Sequence, residues 1–180
     1  RVKWETYQRR QPTQEELREW LVRYPGANWA AITGITFVVL DCDSTEAVEF
    51  VESGQVTRSP LKQRTPRGGY HYFYQVNEGL NVRNMTGNLD VRGEGGYVMV
   101  SPSLKYSFEL AQGAAVNDMM DLPMLNMNDL NSIHEYNQSG KVQPLSLGTK
   151  IGTDPVAVGQ RNDTLARLLG LSLIHISEPT

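Results

Sequence analysis

Seven short runs of aliphatic, β-branched and aromatic residues, none longer than six, limit how this chain can fold. They cover 29–33, 36–40, 63–65, 70–75, 88–91, 97–100 and 105–110, and the Gly and Asn residues between them read as hairpin turns. Ahead of them, Thr13 and Glu16 form a capping box, and Leu17, Trp20, Leu21 and Tyr24 recur at helical spacing until Pro25-Gly26 ends the run. Asp43 or Ser44 then caps a second helix that ends near Gly54. The pattern predicts a mixed α/β chain, with enough residues for one substantial core or two small subdomains.

The remaining sequence divides by composition. From Phe108 to Gly140 there is no Lys or Arg, and Met119, Met120, Met124 and Met127 surround Pro123, which predicts a cap of short helices with methionine as adaptable core. The main domain is expected over 1–140 and a Gly/Pro/Ser/Thr-rich linker over 141–158. A helical segment capped by Asn162 or Asp163 is expected to begin over 159–170. The last ten residues, 171–180, resemble a translated sequencing adapter, so they are set apart from the fold and His175 from the site. With Arg at position 1, they suggest an open reading frame cut at both ends.

Charge is unevenly laid out behind a formal net value of −3. Residues 25–57 hold five acids and no Lys or Arg, whereas residues 58–92 hold six bases against Glu78 and Asp90. An acidic cluster for cations beside a basic stretch for phosphates suits a metal-dependent nucleotide site. A single Cys excludes an internal disulfide framework and a zinc site built from several thiolates, and points to a reducing compartment. There is no apolar run of the length a membrane span needs, so no membrane association is expected.

Three motifs carry the chemistry. Asp41 and Asp43 follow the apolar run 37–40, and strand alternation sends both carboxylates to one face while Cys42 points into a core. Like charges held this close call for a cation between them or a proton on one. The alternative for Asp43 is a helix N-cap. The second motif, Thr65-Pro-Arg-Gly-Gly-Tyr-His71, brings two glycines and Arg67 to the start of an aromatic strand. There Gly69 permits close backbone approach to phosphate, and Arg67 and a protonated His71 can donate to it. Tyr70, Tyr72 and Tyr74 share the opposite face and read as core, with base stacking as the alternative. The third, Leu89-Asp90-Val91-Arg92, supplies another carboxylate for a three-acid metal set. Its structural alternatives are a turn-capping Asp90 and a surface ion pair for Arg92.

Together these motifs resemble the archaeo-eukaryotic primase superfamily, in particular its bifunctional primase-polymerase family of phages, plasmids and other mobile elements. Asp41 and Asp43 match the acid-x-acid motif, His71 the second motif, and Leu89 with Asp90 the third. The 4–7 opening and Val98-Met-Val-Ser-Pro-Ser103 are also similar. The resemblance implies an α/β (α+β) catalytic core with a sheet of the RNA-recognition-motif type and a small N-terminal α/β subdomain. It implies that Asp41, Asp43 and Asp90 hold two Mg²⁺ or Mn²⁺ ions, roughly 3.5–4 Å apart in such sites. His71, Arg67, Gly69, Arg92 and Ser103 are then the nucleotide-binding set. The reaction implied is nucleotidyl transfer from NTP or dNTP to a primer 3′-hydroxyl on a single-stranded DNA template, in the cytoplasm of a prokaryotic host, with a helicase domain beyond the helical segment. Gly69 departs from the pattern, because many superfamily members carry Ser two residues before the His. Three rivals are a haloacid-dehalogenase phosphatase, for which Asp118 and Asp121 fit the later acidic pair poorly, a glycosyltransferase, and a non-catalytic single-strand-binding module.

Overall fold

The run Phe37–Leu40 contains no polar residue because both faces of its strand are covered, and every one of these side chains is buried. This strand, β2 (Phe37–Cys42), is an inner strand of a five-stranded sheet. In the computed structural model, which describes residues 4–77, 79–117, 119–139 and 173–176, that sheet also contains β3 (Leu61–Arg64), β4 (Tyr70–Gln75), β5 (Asp90–Arg92) and β7 (Ser107–Leu110). The strand order is β5-β2-β4-β3-β7, with every pair antiparallel. A second antiparallel sheet, β6-β1-β8, combines β1 (Asn28–Ile32), β6 (Tyr97–Val100) and β8 (Leu173–Ile176).

Helices follow their caps. In α1 (Gln14–Arg23) the Glu16 N–H donates to Thr13 Oγ1 at 3.2 Å and the Thr13 N–H donates back to Glu16 Oε2 at 2.8 Å, so the expected capping box is complete. In α2 (Thr45–Glu52) the cap is Ser44, whose hydroxyl accepts from Ala47 N–H at 3.1 Å. Asp43 is therefore not consumed by capping.

Strand parity sorts the large sheet into two cores. Val38, Leu40, Cys42, Tyr72 and Tyr74 pack with Ala47 and Val51 of α2 and Ile133 of α3 (Met127–Ser139). Phe37, Val39, Leu61, Phe73 and Phe108 pack the other way, with Trp29, Ala30, Ala31, Ile32, Val98 and Val100 of the small sheet and with Trp20 and Tyr7. Each fully buried large apolar side chain contributes on the order of 1.5–3 kcal/mol. The cleft between the sheets thus opens where the second core ends, at the Asp41 end of β2. Tyr72 and Tyr74 are core, as parity predicted, and neither is available to stack on a base.

Several expectations need correction. Met120, Met124 and Met127 do not fill a core: all three are exposed, and α3 packs through Ile133 instead. The strand expected from residue 88 starts at Asp90, because Asp90 Oδ1 accepts the Gly87 N–H and makes a turn of 87–90. The strand expected from residue 105 starts at Ser107, because Lys105 takes a left-handed φ of 66° in the turn that the Ser103–Tyr106 hydrogen bond closes. Within the decapeptide set apart from the fold, residues 173–176 pair with β1, since Leu-Ile-His-Ile has the composition of an edge strand. The linker expected over 141–158 and the helical segment expected over 159–170 lie outside the described residues. No helix among the described residues is long and apolar enough to cross a membrane.

Candidate active site

The site is written in the sheet register. β2 lies between β5 and β4, so Asp41 pairs with Asp90 on one side and His71 on the other, and His71 pairs in turn with Gln63 of β3. Residues directly opposite in neighbouring strands project to one face. Residues 90, 41, 71 and 63 therefore form one polar row across four strands, above the apolar rows that end in Val39 and Phe73.

Asp41 is the hub of this row, with its carboxylate only 10% exposed. Its Oδ1 lies 3.3 Å from His71 Nε2, and its Oδ2 accepts from Arg92 Nε and Nη2 at 3.1 and 3.0 Å. Burial alone would raise the Asp41 carboxyl, but its partnership with His71, and then with the Arg92 guanidinium, holds it below the ordinary carboxylate range. Arg92 Nη2 also reaches Asp90 Oδ2 at 2.8 Å, so one guanidinium separates two carboxylates that would otherwise repel. Asp43 follows the strand end, exposed, with no hydrogen bond or ion pair to its carboxylate among the described residues. Cys42 faces the opposite core, as alternation predicted.

Asp41, Asp43, His71, Arg67 and Arg92 line one cavity of about 630 Å³ between the sheets, a size suited to a nucleotide-sized ligand. Its far wall comes from Asn28, Tyr97, Val98 and Met99 of the small sheet and from the loop at Leu104, Lys105 and Tyr106. Arg67 sits in the turn that the Thr65–Gly69 and Gly68–Thr65 backbone hydrogen bonds close. At Gly69 a Cβ would fall well inside 3.0 Å of the Cys42 carbonyl oxygen and 3.1 Å from Asp43 Cα, so a serine is sterically barred there. The departure from the Ser-x-His pattern is thus built into how closely β4 passes β2.

Two expected site residues stand elsewhere. Asp90 does not line the cavity: it lies behind Arg92, with one oxygen on the guanidinium and the other capping the turn. Ser103 is also outside the cavity lining: its buried hydroxyl accepts from Trp29 N–H at 2.6 Å and donates to Trp29 C=O at 2.9 Å, tying a loop to β1. No three acidic, His or Cys side chains converge as a metal-ligand group among the described residues. Asp121, weighed for the phosphatase rival, accepts from Asn117 N–H in a turn and lies outside the cavity lining.

Some positions that build the cavity and the row escaped the sequence. Asn84 supports the cavity floor through Gly93 N–H, Asn137 of α3 brackets the backbone of Leu89 next to Asp90, and Gln63 is buried against His71. Only the pairing register and the packing of α3 reveal them. Lys105 had a signal only as the base nearest Tyr106, in a stretch read as strand.

Comparison with curated proteins found no match. The family model for the bifunctional DNA primase/polymerase N-terminal domain matches residues 2–124, a span that contains every side chain lining the cavity. The match covers more than half of the chain, which therefore belongs to the bifunctional DNA primase/polymerase family.

Proposed function

We propose that the cavity performs template-directed nucleotidyl transfer, joining NTP or dNTP to the 3′-hydroxyl of a primer on single-stranded DNA. The observation that carries this reading is the row Asp90–Asp41–His71 across three paired strands, beside a cavity whose rim holds Arg67 and Lys105, in a chain of this family. Basic groups at a cavity rim suit a polyphosphate, and carboxylates behind them suit the cations that accompany it.

Asp41 and Asp43 are the proposed ligands for Mg²⁺ or Mn²⁺: hard oxygen donors from one strand, facing one cavity, with Asp43 unspent on the helix cap. A third carboxylate, Asp90, joins them only if Arg92 gives it up, since the guanidinium now stands between. Such ions would make the 3′-hydroxyl more acidic and steady the departing pyrophosphate. Arg92 meanwhile keeps Asp41 and Asp90 screened from each other and the cavity wall intact. Arg67 supplies charge to the triphosphate from the turn, His71 supplies an N–H from the floor, and the bare backbone at Gly69 lets a phosphate come close. Asn84 and Asn137 hold the β5 end of the row in place.

Labelled-nucleotide incorporation on a primed template tests the reading. Asp41→Ala and Asp90→Ala are expected to abolish extension while circular dichroism and the melting curve remain those of a folded protein. Near-normal extension by either variant would sink the carboxylate assignment. His71→Ala is expected to raise the nucleotide KM, because its binding role operates in ground and transition states alike.

A further inference from the structure

We propose that Gln63 is a positioning residue that fixes His71 in the tautomer carrying its proton on Nε2, so that the ring offers the cavity a hydrogen-bond donor rather than a lone pair. Gln63 stands opposite His71 in the β3–β4 register and is completely buried. Its Oε1 accepts from the Ser101 N–H at 2.8 Å, and its Nε2 donates to the Met99 C=O at 2.8 Å.

Those two backbone partners decide the orientation of the amide. A peptide N–H can only donate and a carbonyl can only accept, so reversing the amide would oppose two donors and two acceptors in a fully buried place. Each buried group left unsatisfied costs on the order of 1–3 kcal/mol. Nε2 has a second hydrogen, and His71 Nδ1 lies 3.0 Å from it. Nδ1 must therefore present its lone pair. The ring proton sits on Nε2, the nitrogen 3.3 Å from the carboxylate of Asp41, which lines the cavity with His71.

A ring with a hydrogen on Nδ1 would set it against the same amide hydrogen, so the donor of the ring is the Nε2–H. Its value is in what it faces. A carboxylate oxygen and a phosphate oxygen are both acceptors, and an Nε2 lone pair would repel either one. Resting on the proposed reading of the cavity, Gln63 thereby strengthens triphosphate binding without touching it. It also ties the site to the small sheet, because both of its backbone partners belong to β6 or the residue just after it.

The test is two-bond ¹H–¹⁵N correlation NMR on the whole protein with ¹⁵N-labelled histidine, the His71 signals being assigned by their loss in His71→Gln. A pyridine-type Nδ1 with a pyrrole-type Nε2 is expected. A protonated Nδ1, or an averaged pair of signals, would overturn the proposal, and the tautomer itself is read on the wild-type protein. Gln63→Met keeps the volume and removes the amide; it is expected to give averaged His71 nitrogen signals and a nucleotide KM raised about tenfold with kcat little changed. A single Nε2–H pattern and an unchanged KM in that variant would equally refute it. If the wild-type protein shows the Nε2–H tautomer yet incorporates no nucleotide, the functional reading fails and the tautomer assignment stands.

Discussion

Gly69→Ala should be far more damaging than Gly68→Ala, although both glycines belong to one turn and alanine adds one methyl group to each. At Gly69 the added Cβ meets the Cys42 carbonyl oxygen well inside 3.0 Å and Asp43 Cα at 3.1 Å, so the obstacle is the backbone of the neighbouring strand. No side chain can swing away to make room. β2 and β4 must part by several tenths of an ångström at the Cys42 end of a pairing that runs from Phe37 to Cys42. Overpacking of this kind costs typically 1–3 kcal/mol, and a rigid obstacle places Gly69→Ala at about 3 kcal/mol. At Gly68 a Cβ meets nothing within 4 Å, and the cost is only that of holding an L-residue at a φ of +91°. That is about 1 kcal/mol. Urea unfolding at equal slope should separate the two variants, and the Gly69→Ala melting temperature should fall by about 10 °C. Because the strands part beside Asp43, the same variant should also weaken Mn²⁺ binding under the proposed assignment. Gly69→Ala unfolding at the wild-type midpoint, or above that of Gly68→Ala, would refute the steric account of why serine is missing here.

Two other outcomes follow from local chemistry. Hydrogen bonds from Arg10 and then from the Thr13 N–H hold the Glu16 carboxyl at about 2 instead of 4.5. The folded protein therefore binds that proton more weakly than the unfolded chain, and the stability Glu16 provides is full above pH 4.5 and lost as pH falls toward 2. Glu16→Gln keeps the capping pattern but not the charge, so its stability deficit at neutral pH should vanish in urea titrations near pH 2; a constant deficit would contradict the ion pair. Burial pushes the Cys42 thiol well up, so a disulfide reagent should leave the native protein unlabelled at pH 8 and label it quickly in denaturant. Rapid labelling without denaturant would show that the core beneath α2 opens readily.

How far the sequence could be read follows from how local each signal is. The capping box at Thr13 and Glu16 and the apolar run before Asp41 need only their neighbours, and both emerged where expected. Asp41, Asp43 and Cys42 were sorted to the correct faces by alternation alone. Choosing between Asp43 and Ser44 as the cap needed the backbone, since either side chain can accept an N–H. Ser103 entered the set only through the family resemblance of Val98-Met-Val-Ser-Pro-Ser103; the antiparallel register of β1 and β6 is what brings its hydroxyl to the N–H and C=O of Trp29. Asp90 serves the turn and the row together, one oxygen accepting the Gly87 N–H and the other the Arg92 guanidinium. Gln63 was invisible for the opposite reason. A glutamine in a strand carries no pattern until pairing brings it against a histidine.

Primer extension tests the central claim most directly. Wild-type protein is incubated with labelled nucleotides and a primed single-stranded DNA, with Mn²⁺ or with chelator, and the small product is identified. The account predicts template-dependent growth of the primer with pyrophosphate released, abolished by chelator and by Asp41→Ala. Binding of single-stranded DNA without extension, or inorganic phosphate or transferred sugar as the product, would contradict it.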